Sequence, residues 1–298
     1  MLTALAILVD GLVYASWLFI VALGLTLIFG VMKVLNVAHG GFYAFGAYAA
    51  ASTIGVYYEK GYPPLGGYAL LLGAAIVVGL VLGLLLERGL LRFMYGRDEV
   101  LMALVTFAVF LIMEDVILLA WGGDPYFAYQ PYGLLGNTRL GGLNFSNYDI
   151  ALIGLALLLW LLTTWTVNAT RWGKLLRAVI HDREMAAAFG IDVKRVFTIT
   201  FVIGAMLGAL GGAVTAPKIS VTPGIGVEVI VLAFAIVVIG GMGSVGGALV
   251  GALIVGLARA AAVHLLPQVE LFMIYGVMAL VLTFRPQGLF GRAQARKI

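Results

Sequence analysis

Two adjacent acidic residues, Glu114 and Asp115, have the side chains best placed in this sequence to do chemistry. They interrupt an otherwise apolar run, Leu101–Trp121. Carboxylates inside a membrane cost about 2.5–3.5 kcal/mol on insertion scales and are by default functional candidates. Neighbouring helical positions point about 100° apart, so both cannot face one partner equally well. We treat both as candidates for a translocation path, and one interpretation is a pair with Arg259 or Arg88. The alternative is that the run lies closer to the outer membrane face.

Other patterns that signal catalysis or metal binding are missing from the sequence. It has no Cys, and its histidines (His39, His181 and His264) lack metal-ligand spacing. No serine lies in a nucleophile-elbow string. A phosphate-binding loop reads G-x-x-x-x-G-K-[ST], whereas the nearest string, Trp172–Leu175, lacks the first glycine and the hydroxyl. We therefore expect no catalytic residue, no cofactor and no metal, and no ATP site of this kind.

The composition assigns the class of protein. Of the 298 residues, 63% are hydrophobic and 11% are charged, and the mean hydropathy is +1.09, whereas a soluble domain has about 25% charged residues. Glycine accounts for 40 residues, which suits helices that pack closely in lipid. The composition excludes a soluble enzyme, a nucleic-acid binder and a secreted disulfide domain. It predicts a single transmembrane domain over residues 1–298, with the lipid bilayer as its surroundings.

The apolar runs predict an all-α bundle, because about 20 apolar residues span the ~30 Å of hydrocarbon. The charge-free runs of that length are Gly11–Met32, Val34–Tyr58, Gly61–Leu86, Ile150–Thr170, Val196–Pro217 and Val229–Ala258. Leu101–Trp121 and Pro267–Phe284 are further candidates that contain acidic residues. As one helix Val229–Ala258 would rise about 45 Å, so we predict two helices around its glycine cluster, Gly240–Gly247. This gives nine crossings, or eight if one pair of half-helices is re-entrant.

Basic residues in short loops predict the orientation, since they favour the cytoplasmic side. They concentrate in the loop around Arg88, Arg92 and Arg97, in the loop 171–195, and in the C-terminal tail, Arg285, Arg292, Arg296 and Lys297. The loop 122–148 contains only Arg139 and is expected outside. The N-terminus is then outside and the C-terminus cytoplasmic. The first residues lack a basic n-region and a cleavage site, so we expect the first helix to stay as an anchor.

Two interruptions of the apolar runs are candidates for the translocation path. Broken helices often contact polar substrates, and non-helical backbone at membrane depth requires protein or water around it. The candidate residues are Asn36, His39 and Gly40 in the first interruption and Gly240, Gly241, Gly243 and Ser244 in the second. The alternative is that the glycines only permit tight helix crossing, and that Asn36 and His39 cap a helix near the membrane interface.

Two loops are candidates for contact with partners. In the loop 171–195, Glu184–Phe189 predicts a short helix that ends at Gly190, with Asp182 near its N-terminal turn, where acids are favoured. This loop either docks a partner or lies on the membrane surface. The loop 122–148 is rich in aromatic residues, which predict a membrane-interface belt: Tyr126, Phe127, Tyr129, Tyr132, Phe145 and Tyr148.

Several segments resemble one family of membrane proteins. Glu184–Gly190, EMAAAFG, resembles the EAA loop of ABC-importer permeases. Gly24–Tyr48, Ala233–Leu253 and Arg285–Arg292 are similar to the branched-chain amino acid permease family, and to its LivH-type subunits in particular. The resemblance covers nearly the whole chain. It departs from residues frequent in the family at Leu232, where a lysine is common, and at Gly246, where a proline is common.

The resemblance implies a subunit of an ATP-driven importer of branched-chain amino acids or related small polar compounds in the bacterial cytoplasmic membrane. The implied partners are a second, LivM-like permease, two ABC ATPase subunits and a soluble substrate-binding protein, which the outer loop could contact. The implied ATPase-coupling residues are Glu184, Ala186, Ala187 and Gly190. The alternatives are a urea, amide or aromatic-acid permease of the same family, or a stand-alone ion-coupled transporter that uses Glu114 and Asp115.

Overall fold

Helices make up most of the protein, which a computed structural model describes over residues 2–291. The helices are α1 (Leu2–Met32), α2 (His39–Glu59), α3 (Gly66–Gly89), α4 (Glu99–Trp121), α5 (Gln130–Leu134), α6 (Asn147–Ala169), α7 (Arg171–His181), α8 (Arg183–Ala188), α9 (Val193–Thr215), α10 (Ile225–Gly240), α11 (Val245–Leu265) and α12 (Glu270–Phe284). The tail residues Arg292, Arg296 and Lys297, for which we predict a cytoplasmic location, lie outside the described residues.

The long helices run back and forth across one bundle. Six of them, α1, α3, α4, α6, α9 and α11, are long and apolar enough to span a membrane. With α2, α10 and α12 they form nine helices of alternating direction within residues 2–291; for example, α11 runs antiparallel to α1, because Gly11 lies against Gly256 and Gly30 against Gly243. A polytopic helical membrane bundle is confirmed. Two helices, α10 and α11, replace the single long run, as its glycine cluster predicts.

The bundle has two distinct faces, which α1 connects. Near its start, Leu5 lies against Gly141 in the loop between α4 and α6. At its end, Met32 shares an apolar cluster with Ala186 of α8. We call the end of the bundle that carries α7 and α8 the basic face, and the end that carries α5 the opposite face. Because α1 has 31 residues, it rises about 46 Å, which is enough to join the two.

Helices α1 and α9 form the centre of the bundle, and α3, α4 and α6 lie outside them. In the most apolar windows of α1 and α9, 78% of the residues are buried, against 11% in α6. Small residues allow the central helices to approach closely. A Cβ atom at Gly46 of α2 would collide with the backbone of Ala209 in α9, and one at Gly212 with the carbonyl of Tyr43. The glycines therefore allow the backbones of neighbouring helices to touch, as the composition predicts.

The loop 122–148 differs from its predicted form. It contains an antiparallel hairpin of β1 (Asn137–Leu140) and β2 (Leu143–Ser146), an exception to the all-α prediction. Gly141 and Gly142 form its turn with positive φ angles, +58° and +91°, which suit glycine.

The predicted membrane-interface belt is wrong for two of its aromatic residues. Phe145 and Tyr148 are buried, and the Tyr148 hydroxyl donates to the carbonyl oxygen of Val214 at 2.7 Å. The hydroxyl needs this partner because it lies inside protein. Phe127 and Tyr129 remain half exposed, at 53% and 51%. The loop is therefore folded onto the bundle and presents only some of its aromatic rings.

The close approach of α2 and α9 predicts a stability difference between two glycine substitutions. Gly212→Ala places a methyl group against the Tyr43 carbonyl, whereas Gly73→Ala in α3 meets nothing within 4 Å. Overpacking costs about 1–3 kcal/mol, so we expect Gly212→Ala to lower the melting temperature in mild detergent. Gly73→Ala should leave it unchanged or raise it, since alanine favours helix. Equal melting temperatures would contradict the packing described.

Candidate functional site

The first interruption, residues 33–38, brings the start of α2 deep into the bundle. His39, the first residue of α2, is fully buried, and its Nε2 lies 2.9 Å from the carbonyl oxygen of Val21, to which it donates. Val21 precedes the end of α1 by 11 residues, which corresponds to about 16 Å of helix. The ring fits because Gly24 and Gly208 lack side chains: a Cβ there would lie 2.8 and 3.0 Å from His39 Cε1. His39 thus joins α1 to α2 at depth.

The alternative that Asn36 and His39 cap a helix near the interface is wrong. The N-cap of α2 is Ala38, with no side-chain hydrogen bond. The extended segment is held instead by Thr106 of α4, whose hydroxyl accepts from the Val37 amide at 3.1 Å and lies 3.2 Å from the Leu35 carbonyl oxygen. Asn36 is fully buried, and its Oδ1 and Nδ2 have no hydrogen-bond partner among the described residues.

The second interruption lies at the basic face, beside the end of α1, and not in the centre of the bundle. Gly241 and Gly243 adopt positive φ, +100° and +82°, and Gly243 packs against Gly30 near the end of α1. Ser244 caps α11, since its Oγ accepts from the Gly247 amide at 3.0 Å. The end of α10 is also covered, because the Phe290 amide donates to the Gly240 carbonyl at 3.0 Å. These glycines make a tight helix connection at this face.

Glu114 has a role that the sequence does not indicate. Its Oε2 accepts a hydrogen bond from the amide of Gly224, the N-cap residue of α10, at 3.0 Å. A carboxylate at a helix N-terminus is favoured by the helix dipole, so Glu114 caps α10 from another helix. Gly40 completes this junction, because it packs against Gly226 of α10.

The predicted pairing of the two acids with a cation is wrong for the described residues. Arg259 pairs with Glu270, and no ion pair links Arg88 to either acid within residues 2–291. Asp115 is exposed, whereas Glu114 is half-buried. The adjacent carboxylates therefore do not form one site.

A cleft of about 750 Å³ opens in the half of the bundle nearer the opposite face. Its wall includes Tyr14 and Trp17 of α1, Lys218 after α9, Glu228 of α10 and Arg259 of α11. Sequence reasoning missed this cleft, because these charged residues appear in the sequence only as the ends of apolar runs. Their position directly beside the runs Val196–Pro217 and Val229–Ala258 is the signal that could have found it.

The charges around the cleft are held in fixed positions. The Arg259 guanidinium carbon lies 4.1 Å from the centroid of the Tyr14 ring, and the same side chain pairs with Glu270. Lys218 Nζ lies 2.5 Å from Asp149 Oδ1. Cation–π contact and ion pairing both restrict side-chain freedom, so the cleft presents oriented polar groups beside aromatic ones.

On the basic face, α7 and α8 form a surface unit. One side of α7 is buried through Gly173, Leu176 and Val179. Asp182 caps α8, because its Oδ1 accepts from the amides of Glu184 and Met185 at 2.9 and 3.0 Å. The short helix, the acid at its start and its glycine end are confirmed.

The implied coupling residues differ in exposure. Glu184, Ala187 and Gly190 are exposed, whereas Ala186 is 4% exposed and packs onto the bundle. Gly190 has a φ of +82°, which explains why glycine stands there. Ala186 can therefore attach α8 but cannot contact a partner.

Two large apolar side chains beside the coupling residues are also exposed and were missed. Met185 is 53% and Phe189 is 80% exposed. They are four residues apart, the spacing that places side chains on one side of a helix. An exposed apolar pair of this kind is typical of a docking surface.

A second cavity, of about 530 Å³, connects α8 to the first interruption. It is lined by Lys33, Tyr95, Arg97 and Glu184 among others. The Tyr95 hydroxyl donates to Glu87 Oε1 at 2.6 Å. Burial, and then this hydrogen bond, raise the pKa of the Tyr95 hydroxyl, and the same hydrogen bond holds the ring in the wall of the cavity. Glu184 of α8 and Lys33 of the first interruption therefore line one cavity.

Known proteins are similar to this chain along nearly all of its length. A family model described as "Branched-chain amino acid transport system / permease component" matches residues 7–282. The high-affinity branched-chain amino acid transport system permease protein BraD of Pseudomonas aeruginosa is 29% identical over 98% of this chain and 97% of its own. The corresponding LivH protein of Escherichia coli K12 is 27% identical over 97% and 96%. LivM of Salmonella typhimurium is 30% identical over 91% of this chain and 67% of its own.

A solved structure shares the fold. PsaBC from Streptococcus pneumoniae, in complex with Fab, superposes with a TM-score of 0.50 at 11% identity. The match covers 94% of this chain and 92% of that chain. At this identity the likeness concerns the arrangement of helices alone.

The contact between Glu114 and α10 predicts different effects of two substitutions. Glu114→Ala leaves the Gly224 amide without its partner, which costs about 1–3 kcal/mol, so we expect a lower melting temperature in detergent. Glu114→Gln keeps an acceptor oxygen and should be close to the wild type. Asp115→Asn is the matched control and should have no effect. Equal melting temperatures of Glu114→Ala and the wild type would contradict the capping role.

Proposed function

This chain belongs to the branched-chain amino acid transport system / permease component family, and from that premise we propose that it is the LivH-type permease subunit of an ATP-driven importer of branched-chain amino acids. The observation that carries the proposal is the similarity to BraD and LivH over 97–98% of the chain. The structure supports it with a helical membrane bundle and an exposed helix unit on its basic face. The chain supplies the passage, and ATP hydrolysis belongs to partner subunits.

The proposed complex contains a second permease, two ABC ATPase subunits and a soluble binding protein. A LivM-like second permease is supported by the LivM relative, itself named a branched-chain amino acid permease, which aligns with 91% of this chain. The basic face is cytoplasmic under the positive-inside rule. The N-terminus then lies outside a bacterial inner membrane and the C-terminus inside. The loop 122–148, with Phe127 and Tyr129 exposed, is the proposed contact for the binding protein.

The unit of α7 and α8 is the proposed contact for the ATPases. Met185 and Phe189 would enter a groove on the ATPase, with Glu184 and Ala187 beside them. Ala186 shares an apolar cluster with Met32, so movement of α8 reaches the end of α1 and the first interruption. ATP can drive such a change only if it binds one conformation more tightly than the other. Closure of the ATPases would supply that difference.

The ion-coupled alternative loses the feature that suggested it. Glu114 is engaged by the amide of Gly224, and Asp115 lies on the exposed side of α4. The two carboxylates therefore do not meet at one site, as the suggested coupling pair would. The unit of α7 and α8 would also have no function in a transporter that works alone.

The docking role of α8 predicts the behaviour of one aromatic substitution. Phe189→Ala removes a side chain that is 80% exposed, so the fold of the permease should be unaffected. Buried aromatic anchors dominate interfaces, and we expect substrate-stimulated ATP hydrolysis in the assembled complex to fall about tenfold. Phe93→Ala is the matched control, because Phe93 is 77% exposed and lies outside α8. Equal activity of the two variants would contradict docking through α8.

The backbone at the end of α8 predicts a second effect. Proline fixes φ near about −65°, whereas Gly190 has a φ of +82° and donates its amide to Ala187 at 2.9 Å. Gly190→Pro should abolish substrate-stimulated ATP hydrolysis without loss of membrane insertion. Gly61→Pro, which alters a similar turn with a φ of +70° on the opposite face, should retain most of the stimulation. Normal stimulation in Gly190→Pro would refute the coupling assignment.

A further inference from the structure

The cleft near the opposite face combines both signs of charge with aromatic and aliphatic surface. Lys218 and Arg259 supply the positive charges and Glu228 the negative one. Trp17, Val229 and Leu232 supply apolar wall. With a volume of about 750 Å³, the cleft is in the range of small-molecule sites. A few oriented polar groups in a mainly apolar pocket are the usual form of such a site.

The cleft lies among the membrane-spanning helices, between His39 and the opposite face. Trp17 and Tyr14 precede the end of α1 by 15 and 18 residues, which places them about 22 and 27 Å from the basic face along the helix. The inner wall is closed by Tyr43, whose hydroxyl lies 2.7 Å from Thr215 Oγ1 with both side chains buried. A solute entering from the opposite face would stop at this wall.

The charged side chains of the cleft differ in whether they have an ion-pair partner. Lys218 pairs with Asp149 and Arg259 with Glu270. Glu228 has no hydrogen bond or ion pair from any side chain in the part of the chain that the structure describes, and it is exposed in the first turn of α10. A carboxylate facing lipid is costly. Its position in the cleft wall means that it instead faces whatever occupies the cleft.

We propose that this cleft is where the permease receives its substrate, as a zwitterionic amino acid with an apolar side chain. The Glu228 carboxylate binds the α-ammonium group, and the free guanidinium N–H groups of Arg259 bind the α-carboxylate. The side chain of the amino acid lies against Trp17 and Leu232. This inference rests on the proposed importer function and adds the residues that hold the substrate.

The arrangement assigns each part of the substrate a partner of fitting chemistry. Arg259 is held by Tyr14 and Glu270, so its remaining donors are oriented, and guanidinium groups bind carboxylates in bidentate fashion. Among the described residues, Glu228 is the only carboxylate in the cleft wall. It is therefore the partner of the ammonium group. A carboxylic acid without an amino group would leave Glu228 unpaired, and it should therefore be a poor substrate.

The test uses the complete importer in proteoliposomes, with its binding protein saturated by L-leucine. We expect Glu228→Gln to lower leucine uptake per ATP hydrolysed by about tenfold, because a charge-assisted contact is lost. ATP hydrolysis is measured in the same vesicles, so that uptake is expressed per ATP consumed. Glu228→Asp should restore part of the uptake. Glu59→Gln, at an exposed carboxylate outside the cleft, is the control and should match the wild type.

An unchanged ratio of uptake to ATP hydrolysis in Glu228→Gln would overturn the proposal. Absence of leucine uptake by the wild-type importer would instead refute the proposed function, and the two failures are thus distinguishable.

A second measurement applies if Glu228→Gln does not assemble. The chain has no cysteine, so Ser220→Cys in the cleft wall can be labelled with a methanethiosulfonate reagent. L-leucine should slow this labelling in the importer and leave that of Glu59→Cys unchanged. Equal labelling rates with and without leucine at Ser220→Cys would overturn the proposal.

Discussion

The structure depends on one constraint: backbone N–H and C=O groups inside a membrane must find partners within the protein. Several breaks between helices meet it with a group from a distant part of the chain. Thr106 of α4 serves the backbone of residues 33–38, and Glu114 serves the start of α10. At the basic face the Phe290 amide covers the end of α10. These contacts therefore connect distant parts of the chain, and α4 supplies two of them.

The bundle has two halves with different properties and a layer between them. The opposite-face half contains the cleft with its few charged groups, and the basic-face half contains a cavity beside α8. Between them lies a layer in which His39 fits against Gly24 and Gly208 at contact distance. A substrate cannot cross this layer within the single chain as it stands. Transport therefore requires the layer to open, or the passage to run along the surface shared with a second permease.

Local patterns predicted much of this architecture. The apolar runs gave the helices, the glycine cluster divided α10 from α11, and Gly190 marked the end of α8, since each signal is contained in neighbouring residues. The cleft and the contact of Glu114 with Gly224 join residues far apart in sequence, 110 positions in the latter case. A periodic pattern of apolar residues cannot indicate contacts between residues so far apart in the sequence. The burial of Tyr148 was missed for the same reason, because its partner is Val214.

The buried Asn36 amide has a consequence for the balance between conformations. Its Oδ1 and Nδ2 lack partners within residues 2–291 although the residue is fully buried. An unsatisfied buried polar group raises the free energy of its conformation by about 1–3 kcal/mol, and such a difference changes a population ratio by about 5- to 150-fold. Any conformation in which water or a polar atom reaches Asn36 gains this amount. Asn36 therefore favours, among the conformations of the bundle, one that brings a hydrogen-bond partner to its side chain.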